Sequence, residues 1–344
     1  GMGVLVLATA IVPKLGIRSH YLTQAETPGP VFSKLVPKQS QTSKILYTMY
    51  FVLTALEVLC LKIAGLPLYD ALIHSFSTAG TGGFSNRNAS VGAYGNVAVE
   101  MIITVFMLLF SVNFAIYFLL LTKKWREAVA SDELRFFLAV VLGSTAILTL
   151  VNSGVYASLW ESFRYTVFQI AAIISTTGFG TADFVLWPQF SQLILVLIMF
   201  CGACAGSTGG GMKCSRVLLL LRALRREVHR ITHPRSVEVV KLDGKLVSES
   251  TLHTLLVFLG GYVITVFAAA LVISLDGQSF AVSFSAALTC VSNVGPGLEA
   301  IGPSGNFAAF SGLSKAVMSL CMIVGRLEIF PILVLFSPST WRRT

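Results

Sequence analysis

Ser175-Thr176-Thr177-Gly178-Phe179-Gly180 is the stretch whose reading decides the fold, because its Ser-x-x-Gly-x-Gly pattern recurs twice. The other copies are Ser77-Thr78-Ala79-Gly80-Thr81-Gly82 and Ser292-Asn293-Val294-Gly295-Pro296-Gly297. Each copy follows a short amphipathic run: Tyr69 to Phe76, Glu161 to Ile174, and Gln278 to Val291. Long apolar stretches bracket each unit. Lipid cannot satisfy the carbonyls of a glycine loop at membrane depth, so such a loop must line a watery path. Carbonyls along a path can replace the hydration water of a cation. Glycine admits the positive φ that aims successive carbonyls the same way. The short helix points its C-terminal end at the loop, and that end of its dipole favours a cation.

Composition places the loops in a bilayer. Of 344 residues, 55% are apolar and 12% charged, and the mean hydropathy is +0.78. A soluble domain carries about 25% charged residues. The expectation is therefore an all-α integral membrane protein. A net charge of +9 would suit nucleic acid, but the basic residues sit in the connections between apolar segments, so no nucleic-acid partner is expected. Cys60, Cys201, Cys204, Cys214, Cys290 and Cys321 lie in or near apolar runs and read as small helix residues. Cys201 and Cys204 form C-x-x-C with no second pair, which is weak support for a metal or redox site. His74, His229, His233 and His253 show no ligand spacing.

In chain order, Gly1 to Pro13 reads as the tail of a transmembrane helix, and the sequence as N-terminally truncated. Spans are expected at Ile45–Leu66, Asn96–Leu121, Leu134–Val151, Phe190–Leu221, Leu252–Leu275 and Leu313–Phe336. The fourth is interrupted by Gly202 to Gly211. The expected division is 1–44, the end of a preceding repeat plus a cytoplasmic linker, then pore repeats at 45–133, 134–250 and 251–344. Lys14 to Lys44, Lys123 to Arg135, Arg216 to Lys245 and the tail Arg342-Arg343 hold most of the basic residues on one side. The positive-inside rule makes that side cytoplasmic. All three glycine loops then open outward, near acidic Asp70, Glu100, Asp183, Asp276 and Glu299, which would concentrate cations.

The loops Phe76–Ser85, Ser175–Thr181 and Ser292–Gly297, with Cys204–Lys213 and Val324–Pro331, resemble the Trk/Ktr/HKT superfamily of potassium transporters, most of all its bacterial TrkH-type subunit. The resemblance implies K+-channel-like repeats of helix, re-entrant pore helix, filter loop and helix around one pore. It implies K+ uptake as a multi-pass protein of the bacterial inner membrane, with K+ as the transported ion, no organic cofactor and no enzymatic activity. The K+ filter would be Thr78, Ala79 and Gly80; Thr176, Thr177 and Gly178; and Asn293, Val294 and Gly295. Partners implied are membrane lipid, a second copy in a homodimer, and a cytoplasmic nucleotide-binding Trk regulatory subunit. Potassium over sodium rests on the resemblance; the residues alone say cation. A cation-coupled symporter is the alternative. A membrane enzyme using Cys201 and Cys204 is a third reading, without acid–base or ligand clusters to support it.

Gly202 to Lys213 superficially suggests a phosphate-binding loop, but Met212 follows Gly211 where that motif needs lysine, and no strand precedes it. It reads instead as an intramembrane gate built from Gly206, Gly209, Gly210, Gly211 and Lys213, with Arg326; a helix kink for packing is the alternative. An arginine inside the last span is costly, at least ~2.5–3.5 kcal/mol, and so functional by default. Glu328 at i+2 faces away from it on a helix. The free carbonyls of the glycine loop are its natural partners. Arg164 is expected to anchor the second short helix on the outer side.

Overall fold

The computed structural model describes residues 39–329 except Arg235 and Val237, together with Ile332; side chains are described from residue 44. The expected helix tail at Gly1–Pro13, the basic stretch before residue 39, the end of the last span and the terminal arginines lie outside these residues.

Twelve helices of six or more residues appear among the described residues. They are α1 (Gln39–Ile63), α2 (Leu68–Ala79), α3 (Val97–Ser111), α4 (Phe114–Leu121), α5 (Trp125–Ala130), α6 (Asp132–Val151), α7 (Leu159–Ile174), α8 (Gln189–Cys201), α9 (Cys214–Thr232), α10 (Glu249–Ile273), α11 (Phe280–Ser292) and α12 (Gly312–Arg326). Several start on side-chain caps: Asn96, Ser158, Ser248, Ser279 and Ser311 each accept a backbone N–H of the first turn. Segments Lys44–Ile63, Asp132–Gly154 and Glu249–Asp276 are long and apolar enough to cross a membrane, yet only 28–33% of their apolar windows is buried. The remainder faces outward, as a lipid-facing helix requires.

The helices α2, α7 and α11 are each packed between two neighbours: α1 and α3, α6 and α8, α10 and α12. Successive units meet where α3 packs on α7 and α8 on α11. In the first of these seams, Phe168, Ala171 and Ala172 of α7 are buried with Val99, Ile103 and Met107 of α3. One approach is closer than any side chain allows. A Cβ on Gly325 of α12 would overlap the carbonyl of Val291 in α11.

One expected span is corrected. Asn96–Leu121 is not one helix: α3 and α4 meet at 91°. Val112 is extended (φ −80°, ψ 147°), and Asn113 Oδ1 accepts the N–H of Ala115 at 2.9 Å, starting a new helix. α12 ends at Arg326, and Glu328 and Ile329 then take positive φ, 60° and 56°. Arg326 is thus the last residue of α12. Lys241–Leu242 and Lys245–Leu246 pair antiparallel around Asp243 and Gly244, whose φ values of 48° and 74° suit a tight hairpin turn.

Candidate functional site

Backbone hydrogen bonds set the register of the three loops. After α7, Thr176 N–H donates to Ile173 O (3.0 Å) and Thr177 N–H to Ala172 O (2.9 Å). After α11, Asn293 N–H donates to Cys290 O (3.2 Å) and Val294 N–H to Thr289 O (3.0 Å). After α2, the same pair of bonds runs from Thr81 to Thr78 O (3.0 Å) and from Gly82 to Ser77 O (2.8 Å). Positive φ then alternates identically: Thr81 and Gly83 (50°, 67°), Thr176 and Gly178 (59°, 78°), Asn293 and Gly295 (58°, 115°). Thr81-Gly82-Gly83 is therefore the counterpart of Thr176-Thr177-Gly178 and Asn293-Val294-Gly295.

This corrects the first loop by three positions. Thr78 and Ala79 close the last turn of α2, with Thr78 Oγ1 bonded back to His74 O at 2.8 Å, and Gly80 is right-handed at φ −78°. The cause is that α2 runs one turn past the point where Ser77 suggests it stops. The signal was present: Thr81-Gly82-Gly83-Phe84 matches Thr176-Thr177-Gly178-Phe179 at the Thr, Gly and Phe.

The loops abut in sequence order. A Cβ on Gly83 would overlap the carbonyl oxygen of Thr177, and one on Gly178 would overlap that of Val294. These carbonyls belong to equivalent positions, so the first and second loops each lay a glycine against the same oxygen of the next. At Gly295 no heavy atom comes within 4 Å of the corresponding point among the described residues.

The segment between α8 and α9 lies against all three loops. Gly210 N–H donates to Thr176 Oγ1 (2.6 Å), and Thr81 Oγ1 donates to Thr208 O (3.1 Å). A Cβ on Gly209 would stand 2.9 Å from Ser175 O, and one on Gly210 2.7 Å from Ser292 O. Glycine is thus required at Gly209 and Gly210 by closeness to the loops. The break between α3 and α4 holds the other side. Cys204 N–H donates to Ser111 O (3.0 Å), Thr208 N–H to Phe110 O (3.3 Å), and Phe114 N–H to Gly206 O (3.1 Å). A helix end leaves carbonyls without internal partners, and here the glycine segment uses them. Sequence reading missed this seam; its signal was the polar pair Ser111 and Asn113 inside an apolar run.

Three cations reach the segment: Arg326, Lys213 and Arg216, whose Nη1 donates to Met212 O at 3.5 Å. Arg326 Nη1 donates to Thr208 O (3.3 Å), so that carbonyl accepts from both Thr81 and Arg326. Lys213, buried and at positive φ (83°), donates its Nζ to Gly209 O. Glu328 is paired with Arg216 at 2.6 Å, and the Arg216 guanidinium lies over the Phe258 ring at 4.2 Å. Cys201 and Cys204 do not form a pair of their own. Cys214 Sγ is 3.5 Å from Cys201 Sγ and 3.2 Å from Gly202 O.

Arg164 of α7 pairs with buried Glu100 of α3 at 3.1 Å. Asp70, at the start of α2, accepts from Asn86 (2.7 Å), Tyr94 (2.9 Å) and Arg87 (3.1 Å). The Asn86 amide, with Tyr94 and Arg87, holds its carboxyl below the ordinary value.

The profile of the TrkH family, described as a cation transport protein, matches residues 1–343. The "Trk system potassium uptake protein TrkH" of Salmonella typhimurium strain LT2 is 37% identical over 350 residues, covering 99% of this chain and 71% of that protein. The "Trk system potassium uptake protein TrkG" of Escherichia coli K12 is 35% identical over 346 residues, with the same coverage. Among solved structures, the crystal structure of "the Potassium Transporter TrkH from Vibrio parahaemolyticus" superposes with a TM-score of 0.82 at 33% identity, covering 99% of this chain and 70% of that one. This helical membrane chain, with three equivalent glycine loops over an interrupted helix, belongs to the TrkH family of cation transport proteins.

Proposed function

We propose that the chain carries K+ into the cell across the bacterial cytoplasmic membrane. The path passes a filter whose walls include Thr81–Gly83, Thr176–Gly178 and Asn293–Gly295. The observation that carries this is the repeated backbone geometry: three loops with one hydrogen-bond pattern, seated glycine to carbonyl, each at the C-terminal end of a short helix. The relatives named as potassium uptake proteins supply the ion. The division into pore repeats at 45–133, 134–250 and 251–344 follows from the same three units.

The glycine segment 202–213, with Lys213 and Arg326, is the gate of this path. It sits against the residues that begin each filter stretch, and its carbonyls accept from Lys213, Arg326 and Arg216. The basic helix α9 and the hairpin face the cytoplasm, where a regulatory subunit would dock; a homodimer is the expected assembly.

The test is ion flux in proteoliposomes, comparing K+ with Na+ for the parent and for Gly178→Ser. A side chain at φ 78° beside the Val294 carbonyl re-aims the loop. The K+/Na+ preference should fall about tenfold, a change of about 1.4 kcal/mol. An unchanged ratio would remove the filter assignment.

A further inference from the structure

Asp132 and Glu133 are neighbours in the first turn of α6, and their side chains hold different parts of the protein. Glu133 is buried, and its Oε1 accepts two backbone N–H groups, from Ala205 at 2.6 Å and from Ser215 at 3.0 Å. These flank the segment Gly206–Lys213 on either side. Asp132 Oδ2 accepts from Arg222 Nη1 of α9 (2.8 Å) and from the N–H of Asp243 in the hairpin turn (2.9 Å). The N–H of Asp132 in turn donates to Asp243 Oδ1 (2.6 Å), and Arg222 also donates to Lys241 O (2.6 Å). Val240 and Leu242 beside the turn are buried with Leu219, Leu252 and Leu255, so the hairpin is seated and not loose. Its other residues, Lys241, Asp243, Gly244, Lys245 and Leu246, are exposed.

Hydrogen bonds to an ionised acceptor are about twice as strong as neutral ones. One carboxylate oxygen shared by the two ends of a loop fixes both ends to one point. Consecutive residues share a peptide plane, so a shift of this helical turn moves both carboxylates together.

We propose that the Asp132–Glu133 pair is the link by which the cytoplasmic hairpin Lys241–Leu246 sets the position of the glycine segment, with Glu133 as its positioning residue. The proposal rests on the reading of that segment as the gate. A partner that binds the exposed hairpin differently in two states biases the loop through this turn, by no more than its difference in affinity. Physical coupling of this kind is shown by non-additivity of variants, not by proximity.

The experiment measures resting Rb+ and Na+ flux in proteoliposomes of the whole chain, for Glu133→Ala, Glu133→Gln, Asp132→Ala, the Asp132→Ala/Glu133→Ala double variant and Arg326→Ala. Glu133→Ala should raise Rb+ flux about fivefold or more, the scale of a typical coupling, with the Rb+/Na+ ratio kept. Glu133→Gln should restore most of the closure, because an amide oxygen accepts the same two N–H groups. Asp132→Ala should raise flux less, and the double variant should match Glu133→Ala alone. Parent flux in folded Glu133→Ala, while Arg326→Ala is raised, overturns the link and leaves the gate standing. Equal Rb+ and Na+ leak, or Asp132→Ala and Glu133→Ala effects that multiply, overturns it too. Parent flux in both Glu133→Ala and Arg326→Ala removes the gate reading with it. If Glu133→Ala does not fold, hydrogen exchange over Ala205–Ser215 in Asp132→Ala decides: faster exchange supports the link and unchanged exchange overturns it.

Discussion

The N–H of Gly210 donates to Thr176 Oγ1 at 2.6 Å, joining the segment between α8 and α9 to the first residue of a proposed filter stretch. Thr176 holds φ 59° there, a conformation that β-branched residues rarely adopt. The bond is one contact that stabilises it.

The register of the first loop is directly testable. Gly83→Ala places a Cβ on the Thr177 carbonyl at φ 67°, whereas Gly80→Ala adds a methyl at φ −78°. Gly83→Ala should lower K+/Na+ preference about tenfold or more, roughly 1.4 kcal/mol. Gly80→Ala should leave it within about twofold. Permeability ratios from reversal potentials distinguish them; the opposite order would restore the register at Thr78–Gly80.

Arg326→Ala removes one of two donors to the Thr208 carbonyl. Losing a charge-assisted bond costs about 1.5–3 kcal/mol, so resting K+ flux should rise about tenfold. Shortening the segment by deleting Gly209 and Gly210 should also raise flux, and combining both changes should add little. Arg326→Ala flux at or below the parent level in folded protein would make the arginine a brace.

Arg164→Ala strands the buried carboxylate of Glu100, whose side chain is 4% exposed. Breaking a buried pair from one side costs about 3–5 kcal/mol. Detergent-solubilised Arg164→Ala should unfold at clearly lower temperature, and Glu100→Gln in that background should recover part of the loss.

Gly325→Ala should destabilise by about 1–3 kcal/mol through overpacking, because the Val291 carbonyl is backbone and cannot step aside. The same thermal measurement checks it. A neighbouring exposed position such as Met322→Ala should change little.

Asp70 has a lowered folded-state value, led by its bond from Asn86. A depressed carboxylate contributes stability above its unfolded value, near 4, and loses it only as pH falls through the lowered folded value. Exchange protection of Ser85–Tyr94, corrected for intrinsic rate, should therefore stay flat between pH 8 and pH 5. Asp70→Asn should loosen the segment at pH 7.

How far the sequence reached depended on where each determinant lies. The short helices were legible because amphipathic runs ending in Ser-x-x-Gly carry local signals. The start of α7 expected at Glu161 is found at Leu159, and both readings end at Ile174. The 91° break was hidden, since Val97–Leu121 is mostly apolar, with only Ser111 and Asn113 to mark the break, and the carbonyls of Phe110 and Ser111 find their partners in Thr208 and Cys204, about a hundred residues later. The first-loop register was hidden because two glycine patterns overlap there, and only the backbone bonds choose between them. Glu133 and the Asp243-Gly244 hairpin went unread: a lone glutamate at a helix start looks like dipole complement, and two-residue strands are too short to show alternation.

Cys214 N–H bonds Ala203 O at 3.0 Å, and its thiol bonds Gly202 O. These two contacts staple the beginning of the glycine segment to its end. The segment is therefore a closed excursion, and the helices on either side need not separate for it to move. Loop motions run on nanosecond to microsecond scales, whereas collective helix rearrangements take microseconds to milliseconds. Single-molecule current through such a passage would flicker rapidly within each long open period, with the slow steps set by whatever holds the excursion from outside.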